Sequence, residues 1–217
     1  MKKTAIQLDF DGTVTEEDVS FLLLDTFVGS HWRRYLDEYS SGKISVGAFN
    51  KKVFGMMIAD RKTMTDFVLN NPRVKVRSGF KEFIDYCKNN GIEVVIVSNG
   101  LTFYIEAILD KLGISGLVIH AAENIFSPSG MKVRYLGPNG KEVDTAFKEA
   151  YTDMLCKMGY QVIYVGDGNS DIYPSRKAQY VCATAQLLKR CREENLKCYP
   201  FNDFFDVIKI IDSLKLG

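Results

Sequence analysis

The run Thr4-Ala5-Ile6-Gln7-Leu8, followed at once by Asp9-Phe10-Asp11-Gly12-Thr13, decides how this chain is read. Its first half has the apolar and β-branched content of a buried strand, and its second half ends that strand in acids and small polar groups. Runs of the same kind recur at Glu93 to Val97, Leu117 to His120, Val162 to Val165 and Tyr180 to Ala183. Between them apolar residues fall at helical spacing: Phe80, Phe83, Ile84 and Cys87, then Ile105, Ile108, Leu109 and Leu112, then Phe147, Tyr151, Met154 and Leu155. Strands alternating with helices predict an α/β fold, a parallel sheet with helices on both faces. Gly91, Gly113 and Gly159 stand where helices close before the next strand.

One region breaks the alternation. From Thr15 to about Val76 no strand is evident, and helical patterns cover Val19 to Val28, Trp32 to Tyr39, Val46 to Ile58 and Thr63 to Leu69. The expected organisation is therefore an α/β core of residues 1–14 and 77–217 interrupted by a helical cap, residues 15–76, with Asn71-Pro72 as the return hinge. So small an insertion reads as a lid docked on the sheet edge, not as an independent domain. Asn124 to Gly140, with turn residues on both sides of Met131 to Leu136, reads as a short hairpin or flap.

Composition narrows the function. Lys+Arg of 28 against Asp+Glu of 27 leaves a formal charge of +1, which gives no global case for nucleic acid or an anionic membrane. Apolar runs such as Phe21 to Leu24 and Val94 to Val97 are far shorter than a membrane span, and Gln7, Asp9 and Asp11 interrupt any signal-peptide core behind Lys2 and Lys3. A cytoplasmic protein is expected. Its five cysteines, Cys87, Cys156, Cys182, Cys191 and Cys198, show no C-x-x-C spacing and read as reduced thiols, a Cys191–Cys198 bridge being left open.

In an open parallel sheet the ligand crevice lies at the carboxyl ends of the strands. There the sequence places Asp9-Phe10-Asp11-Gly12-Thr13, Ser98-Asn99-Gly100, and Gly166-Asp167-Gly168-Asn169-Ser170-Asp171. If these strands are neighbours, the acids converge and call for a cation, and hard oxygen ligands suit Mg²⁺. Asp9 and Asp11, two apart, can divide labour as nucleophile and general acid/base. Gly12 permits a tight turn after them, and Thr13 can donate to an anion or cap the segment after it. Ser98, Asn99 and Gly100, at the start of a helix expected over Leu101 to Leu112, can face an anion, as can Lys148 near the start of the Asp144 to Met158 helix. Each of these has a plain structural reading taken alone; the constellation promotes them together.

In this order, and with a helical insertion after the first of them, these motifs resemble those of the haloacid dehalogenase superfamily of phosphatases over essentially the whole chain. The resemblance implies a Rossmann-like core with a cap, and Asp9 as the residue that becomes an aspartyl-phosphate, with Asp11 as acid/base. It implies Ser98 and Lys148 as phosphate ligands, and Mg²⁺ held by Asp9, the backbone carbonyl of Asp11, and Asp167, with Asp171 in support. The position of the cap is similar to that of phosphoserine phosphatases. Leu187-Leu188, Cys191-Arg192-Glu193-Glu194-Asn195-Leu196 and Pro200-Phe201-Asn202-Asp203-Phe204, with the Lys148 to Asp167 spacing, look like the methionine-salvage phosphatases acting on 2-hydroxy-3-keto-5-methylthiopentenyl-1-phosphate. Asp18 and Ser170 stand where phosphoserine phosphatase has Glu and Asn.

The expected function is hydrolysis of a small phosphorylated metabolite, methionine-salvage-type, with phosphoserine phosphatase or a non-catalytic phosphate-binding module as alternatives. A calcium loop at Asp167 fails because Ile172 and Ala178 occupy its Gly and Glu positions. A dinucleotide site fails because the first strand ends in acids. In the cap, Asp18, Arg33, Arg34, Phe54, Met56 and Met57 are candidates for substrate contact, although such a Met/Phe stripe is more often core. His31 and His120 lack ligand spacing. The Cys191 to Pro200 stretch reads as a helix end and a loop packed on the sheet edge.

Overall fold

Every residue of the first strand, β1 (Thr4–Leu8), is buried, because in the computed structural model, which describes residues 3–214, it lies at the centre of a seven-stranded sheet. It is followed by α1 (Val19–Phe27), a 3-10 turn at Gly29–Trp32, α2 (Arg33–Ser40), α3 (Val46–Phe54) and α4 (Arg61–Asn70). Then come α5 (Phe80–Asn89), β2 (Glu93–Leu101), α6 (Thr102–Lys111), β3 (Val118–Ile125), β4 (Lys132–Arg134), α7 (Phe147–Lys157) and β5 (Gln161–Gly166). The chain ends with α8 (Ile172–Ser175), β6 (Tyr180–Ala183), α9 (Ala185–Glu193), β7 (Tyr199–Pro200) and α10 (Phe204–Ser213). The strand order is β4-β3-β2-β1-β5-β6-β7, with all pairs parallel except the β3–β4 hairpin. Lys2 and the outermost positions of the expected core segments 1–14 and 77–217 lie outside the described residues.

Gln7 is the polar exception in β1. Its amide donates to the Lys148 carbonyl at 2.9 Å and accepts from the Thr152 hydroxyl at 2.7 Å, so both ends of a fully buried amide are satisfied. The same bonds fix α7 against β1 at the turn that carries Lys148.

The four helices α1 to α4 leave and rejoin the sheet through one narrow neck. Thr15 bridges Val76, Glu16 N–H donates to the Lys75 carbonyl at 2.9 Å, and Arg77 N–H donates to Val14 at 2.8 Å. Asp18, Ser45 and Asp60 cap α1, α3 and α4 by accepting from Phe21, Ala48 and Thr63 N–H. Their apolar faces, with Leu23, Trp32, Phe49, Val53, Met64 and Val68 inside, belong to the same buried cluster as the sheet. No helix among the described residues is long and apolar enough to cross a membrane.

Several boundaries differ from the sequence expectation. β2 runs on through Leu101, so Ser98-Asn99-Gly100 forms the irregular end of a strand, where its register against β3 shifts, and α6 starts only at Thr102. β3 extends to Ile125 because β4 pairs with it, which makes the flap a true hairpin. α3 stops at Phe54, short of Ile58, and α7 starts at Phe147, leaving Asp144 in the preceding loop to accept from Lys51 at 2.6 Å. The Cys191 to Pro200 stretch adds a short edge strand, β7, to its helix end and loop. Cys191 and Cys198 are free thiols, as are the other three cysteines. His120 stacks on Tyr151 with ring centroids 3.9 Å apart.

Candidate active site

β1, β2 and β5 are neighbours and parallel, so the segments after them meet at one edge. Asp9 follows β1, Ser98-Asn99-Gly100 ends β2, and Asp167 to Asp171 follow β5. Carboxylate oxygens of Asp9, Asp167 and Asp171 come within 4.8 Å of one another. Above them lies a cavity of about 410 Å³ whose other walls come from α1, α2 and α3.

The buried Lys148 ammonium organises the acids. It stands 2.7 Å from Asp9 Oδ1 and 2.6 Å from Asp171 Oδ1. Asp171 also accepts from the Tyr164 hydroxyl at 2.6 Å and from Asp167 and Gly168 N–H at 3.0 and 2.8 Å. Burial pushes the Asp171 carboxyl up, but Lys148 and these donors outweigh it and hold the group below the usual carboxylate range. Burial likewise pulls Lys148 down, and the charges of Asp171 and Asp9 outweigh it and hold the ammonium well above its usual range. Asp9 lies the other way: burial, then repulsion from Asp171, raise it well above an ordinary carboxyl despite Lys148. Asp167 is raised to about 7 by burial and by Asp171, against a hydrogen bond from Thr13.

Two buried acids, Asp9 and Asp171, and the half-buried Asp167 repel one another with one ammonium among them, a charge balance that a hard divalent cation would relieve. Residues Asp9 and Asp167 therefore fit Mg²⁺, while Asp171 has both oxygens engaged by the protein. The side chain of Asp11 stays out of this cluster. Its Oδ1 accepts from Val19 N–H at 3.0 Å and its Oδ2 from the Tyr104 hydroxyl, which also bonds Ser20 Oγ at 2.8 Å. Burial, followed by the charge of Asp18, raises Asp11 to about 8, against the hydrogen bonds from Tyr104 and Val19, which favours its protonated form.

Two glycines are dictated by close approach. Gly12 has φ +76° and a Cβ there would strike the Asp167 carboxylate; a Cβ on Gly100 would strike the Tyr104 hydroxyl and Asp11 Oδ2. Arg77 fixes the loop from outside, donating to the carbonyls of Gly12, Thr13 and Asn202 at 2.7, 2.9 and 2.9 Å.

The residues singled out in the sequence are thus brought together with one displacement. Asp9, Asp11, Ser98, Asn99, Gly100, Lys148 and Asp167 line the cavity. Thr13 does not: it is sealed off and gives its hydroxyl to Asp167 Oδ1 at 2.8 Å, so it positions an acid instead of meeting an anion. Of the cap candidates, Asp18 and Phe54 reach the cavity. Arg33 pairs with Asp25 at 2.6 Å, Arg34 lies over Tyr35, Met57 is core, and Met56 is not among the lining residues. Sequence reasoning missed Tyr104, Tyr164, Arg77 and Asn50, together with the cap wall of Phe21, Leu24, Leu36 and Tyr39. For these the only signal was an apolar stripe indistinguishable from core.

A family model described as haloacid dehalogenase-like hydrolase matches residues 6–173. The chain is 30% identical to the 2-hydroxy-3-keto-5-methylthiopentenyl-1-phosphate phosphatase of Geobacillus thermodenitrificans, over 99% of this chain and 98% of that protein. It is 28% identical to the protein of that name from Brevibacillus brevis, over 99% and 97%. Among solved structures it superposes on a phosphoserine phosphohydrolase-like protein from Francisella tularensis with TM-score 0.70 and 24% identity, covering 96% of this chain and 99% of that one. A substrate-bound phosphoserine phosphatase gives TM-score 0.71 at 22% identity, covering 97% and 99%. The structural likenesses establish a shared fold.

Proposed function

Because the chain belongs to the haloacid dehalogenase-like hydrolase family, we propose that it hydrolyses phosphate monoesters of small metabolites through a phosphorylated Asp9. The observation that carries this reading is the convergence of Asp9, Lys148 and Asp167, from three separate segments, at the floor of a half-open cavity that Asp11 also lines. With Oδ1 of Asp9 held by Lys148, its other oxygen is left to attack phosphorus. The ester P–O bond breaks as the Asp9 O–P bond forms, and Asp11 gives its proton to the departing alkoxide. Asp11, now ionised, takes a proton from water, the hydroxide attacks phosphorus, and the Asp9 O–P bond breaks to release phosphate. Lys148 and the Ser98 hydroxyl, the latter held by Gly100 N–H at 3.0 Å, orient the phosphoryl oxygens. Mg²⁺, held by Asp9, the Asp11 carbonyl and Asp167, would supply charge neutralisation of the phosphoryl group. Helices α1 to α4 act as the cap that excludes bulk water, residues 15–76 forming the unit.

Among substrates the cavity favours an ester with an uncharged tail. Its outer wall is Phe21, Leu24, Leu36, Phe49 and Phe54, and Lys148, already paired with Asp9 and Asp171, is the only cation lining it among the described residues. An amino-acid carboxylate such as that of phosphoserine would find no free cation among the described lining residues, only neutral donors. The methionine-salvage type of substrate, named for the relatives, suits this wall. The test is phosphate release from p-nitrophenyl phosphate by wild type and Asp9→Asn, with Mg²⁺ and with EDTA, followed by butyl phosphate against phosphoserine. Metal-dependent turnover lost in Asp9→Asn is expected, with preference for the alkyl ester; no turnover on any ester would return the chain to a phosphate-binding module.

A further inference from the structure

Resting on the phosphatase reading, we infer that Asn50 selects substrates bearing a hydroxyl close to the phosphate, its side-chain carbonyl serving as a fixed acceptor. α3 turns Val46, Phe49, Asn50 and Phe54 toward the cavity, and Asn50 is the one polar residue of the four. Its side chain is buried and anchored at one end. Nδ2 donates to the Tyr135 hydroxyl at 2.6 Å and to the Asn99 carbonyl at 3.2 Å. Tyr135 spends its own proton on the same Asn99 carbonyl, at 2.5 Å. A backbone carbonyl only accepts, and a tyrosine whose proton is committed can only accept from Asn50, so the anchored end must be the NH₂ group. That settles the orientation of the amide.

Oδ1 then points away from this anchor. No protein donor engages it among the described residues, and it is not sealed, since the sole fully buried side-chain polar atom without a partner is Ser175 Oγ. An acceptor on an otherwise apolar helix face, opening on a cavity, calls for a donor from the molecule that fills the cavity. The ester's phosphoryl group carries none as a dianion. The anchor residue, Asn99, directly follows Ser98, so the donor belongs near the phosphate end, while Phe21, Leu24 and Leu36 face the tail. A neutral amide oxygen at that place suits a hydroxyl.

The test uses two phosphonates, 3-hydroxypentylphosphonate and pentylphosphonate, which copy butyl phosphate with and without a hydroxyl on its second carbon. Their dissociation constants are measured by calorimetry with Mg²⁺ for wild type, Asn50→Leu, Asn50→Ala and Tyr135→Phe, each checked for folding by circular dichroism. Wild type should bind the hydroxylated compound about 5–10-fold more tightly. Both Asn50 variants should lose that ratio to within about two-fold, and Tyr135→Phe, which leaves the amide anchored only to Asn99, should fall between. Equal affinities in wild type, or a ratio that survives in both Asn50 variants, overturns the assignment. Binding with the expected ratio but no p-nitrophenyl phosphate turnover would sink the phosphatase reading alone; binding of neither compound by wild type sinks both.

Discussion

Replacing Lys148 by Met keeps the length and much of the volume of the side chain while removing the charge that Asp9 and Asp171 share. The ammonium is 3% exposed, and its two carboxylate partners are 8% and 0% exposed as side chains. Breaking a buried pair by removing one member costs about 3–5 kcal/mol, because the other charge is left unsolvated. Here two pairs break, yet the cost should not double. Asp171 keeps the Tyr164 hydroxyl and two N–H donors, and Asp9, already raised by burial and by Asp171, can take up a proton. A loss of about 3–5 kcal/mol in total is expected, which for a domain of this size is roughly 6–20 °C in Tm. The assay is thermal and urea unfolding of metal-free wild type, Lys148→Met, Asp171→Asn and the double variant. The double variant should be more stable than the sum of the two single losses allows, by about 1–3 kcal/mol of coupling. A loss below about 1 kcal/mol, or simple additivity of the two single changes, would refute the claim that Lys148 holds the acids together.

The same geometry sets three further outcomes. Asp18 is raised to about 7 by burial, against its hydrogen bond from Phe21, so the folded state holds a proton that the unfolded chain releases near pH 4. Stability of the metal-free protein should therefore fall as pH rises from about 4 to 7; Asp18→Asn, which preserves the helix cap, should flatten that slope by somewhat less than about 1.4 kcal/mol per pH unit, since Asp18 is only half-buried. Gly100→Ala drives a methyl into the Tyr104 hydroxyl and Asp11, so turnover should drop by about 10²-fold or more while stability falls by only about 1–3 kcal/mol; near-normal kinetics would show that Asp11 needs no such placement. Arg77→Met frees three carbonyls on two segments, and should lower kcat with a stability loss of about 1–3 kcal/mol. Arg77→Lys should restore less than half of either loss, because an ammonium cannot span the carbonyls that the planar fork reaches, and full rescue by lysine would contradict this.

The sheet and its acids were legible because each was written locally. A strand declares itself by a run of β-branched residues, and Asp9, Asp11 and Asp167 follow their strands directly, so one rule about strand ends places them all. The supporting groups were not, since each meets its partner across the chain: Tyr104 with Asp11, Tyr135 with Asn50, Arg77 with Asn202. Gln7 carried the one available hint, a polar residue in a strand otherwise buried on both faces, which must be satisfied by something. Thr13 shows the converse. Its place in the motif suggested an anion ligand, and only the turn at Gly12 reveals that Asp167 lies within its reach first.

The cap wall failed to declare itself for a different reason. Phe21, Leu24, Leu36 and Phe49 have the helical spacing of core residues, and some of the same stripe, Leu23, Trp32 and Val53, is indeed core. Periodicity reports which face of a helix avoids water, and a ligand cavity with apolar walls satisfies it as well as packing does. The two are separated by a polar group placed on that face with half of its bonding capacity unspent. Asn50 meets that description only once Tyr135 and the Asn99 carbonyl have claimed its NH₂ end. In the proposed function the acids are each read directly after a strand, whereas selectivity would follow from the orientation of one amide, held by a tyrosine from the flap.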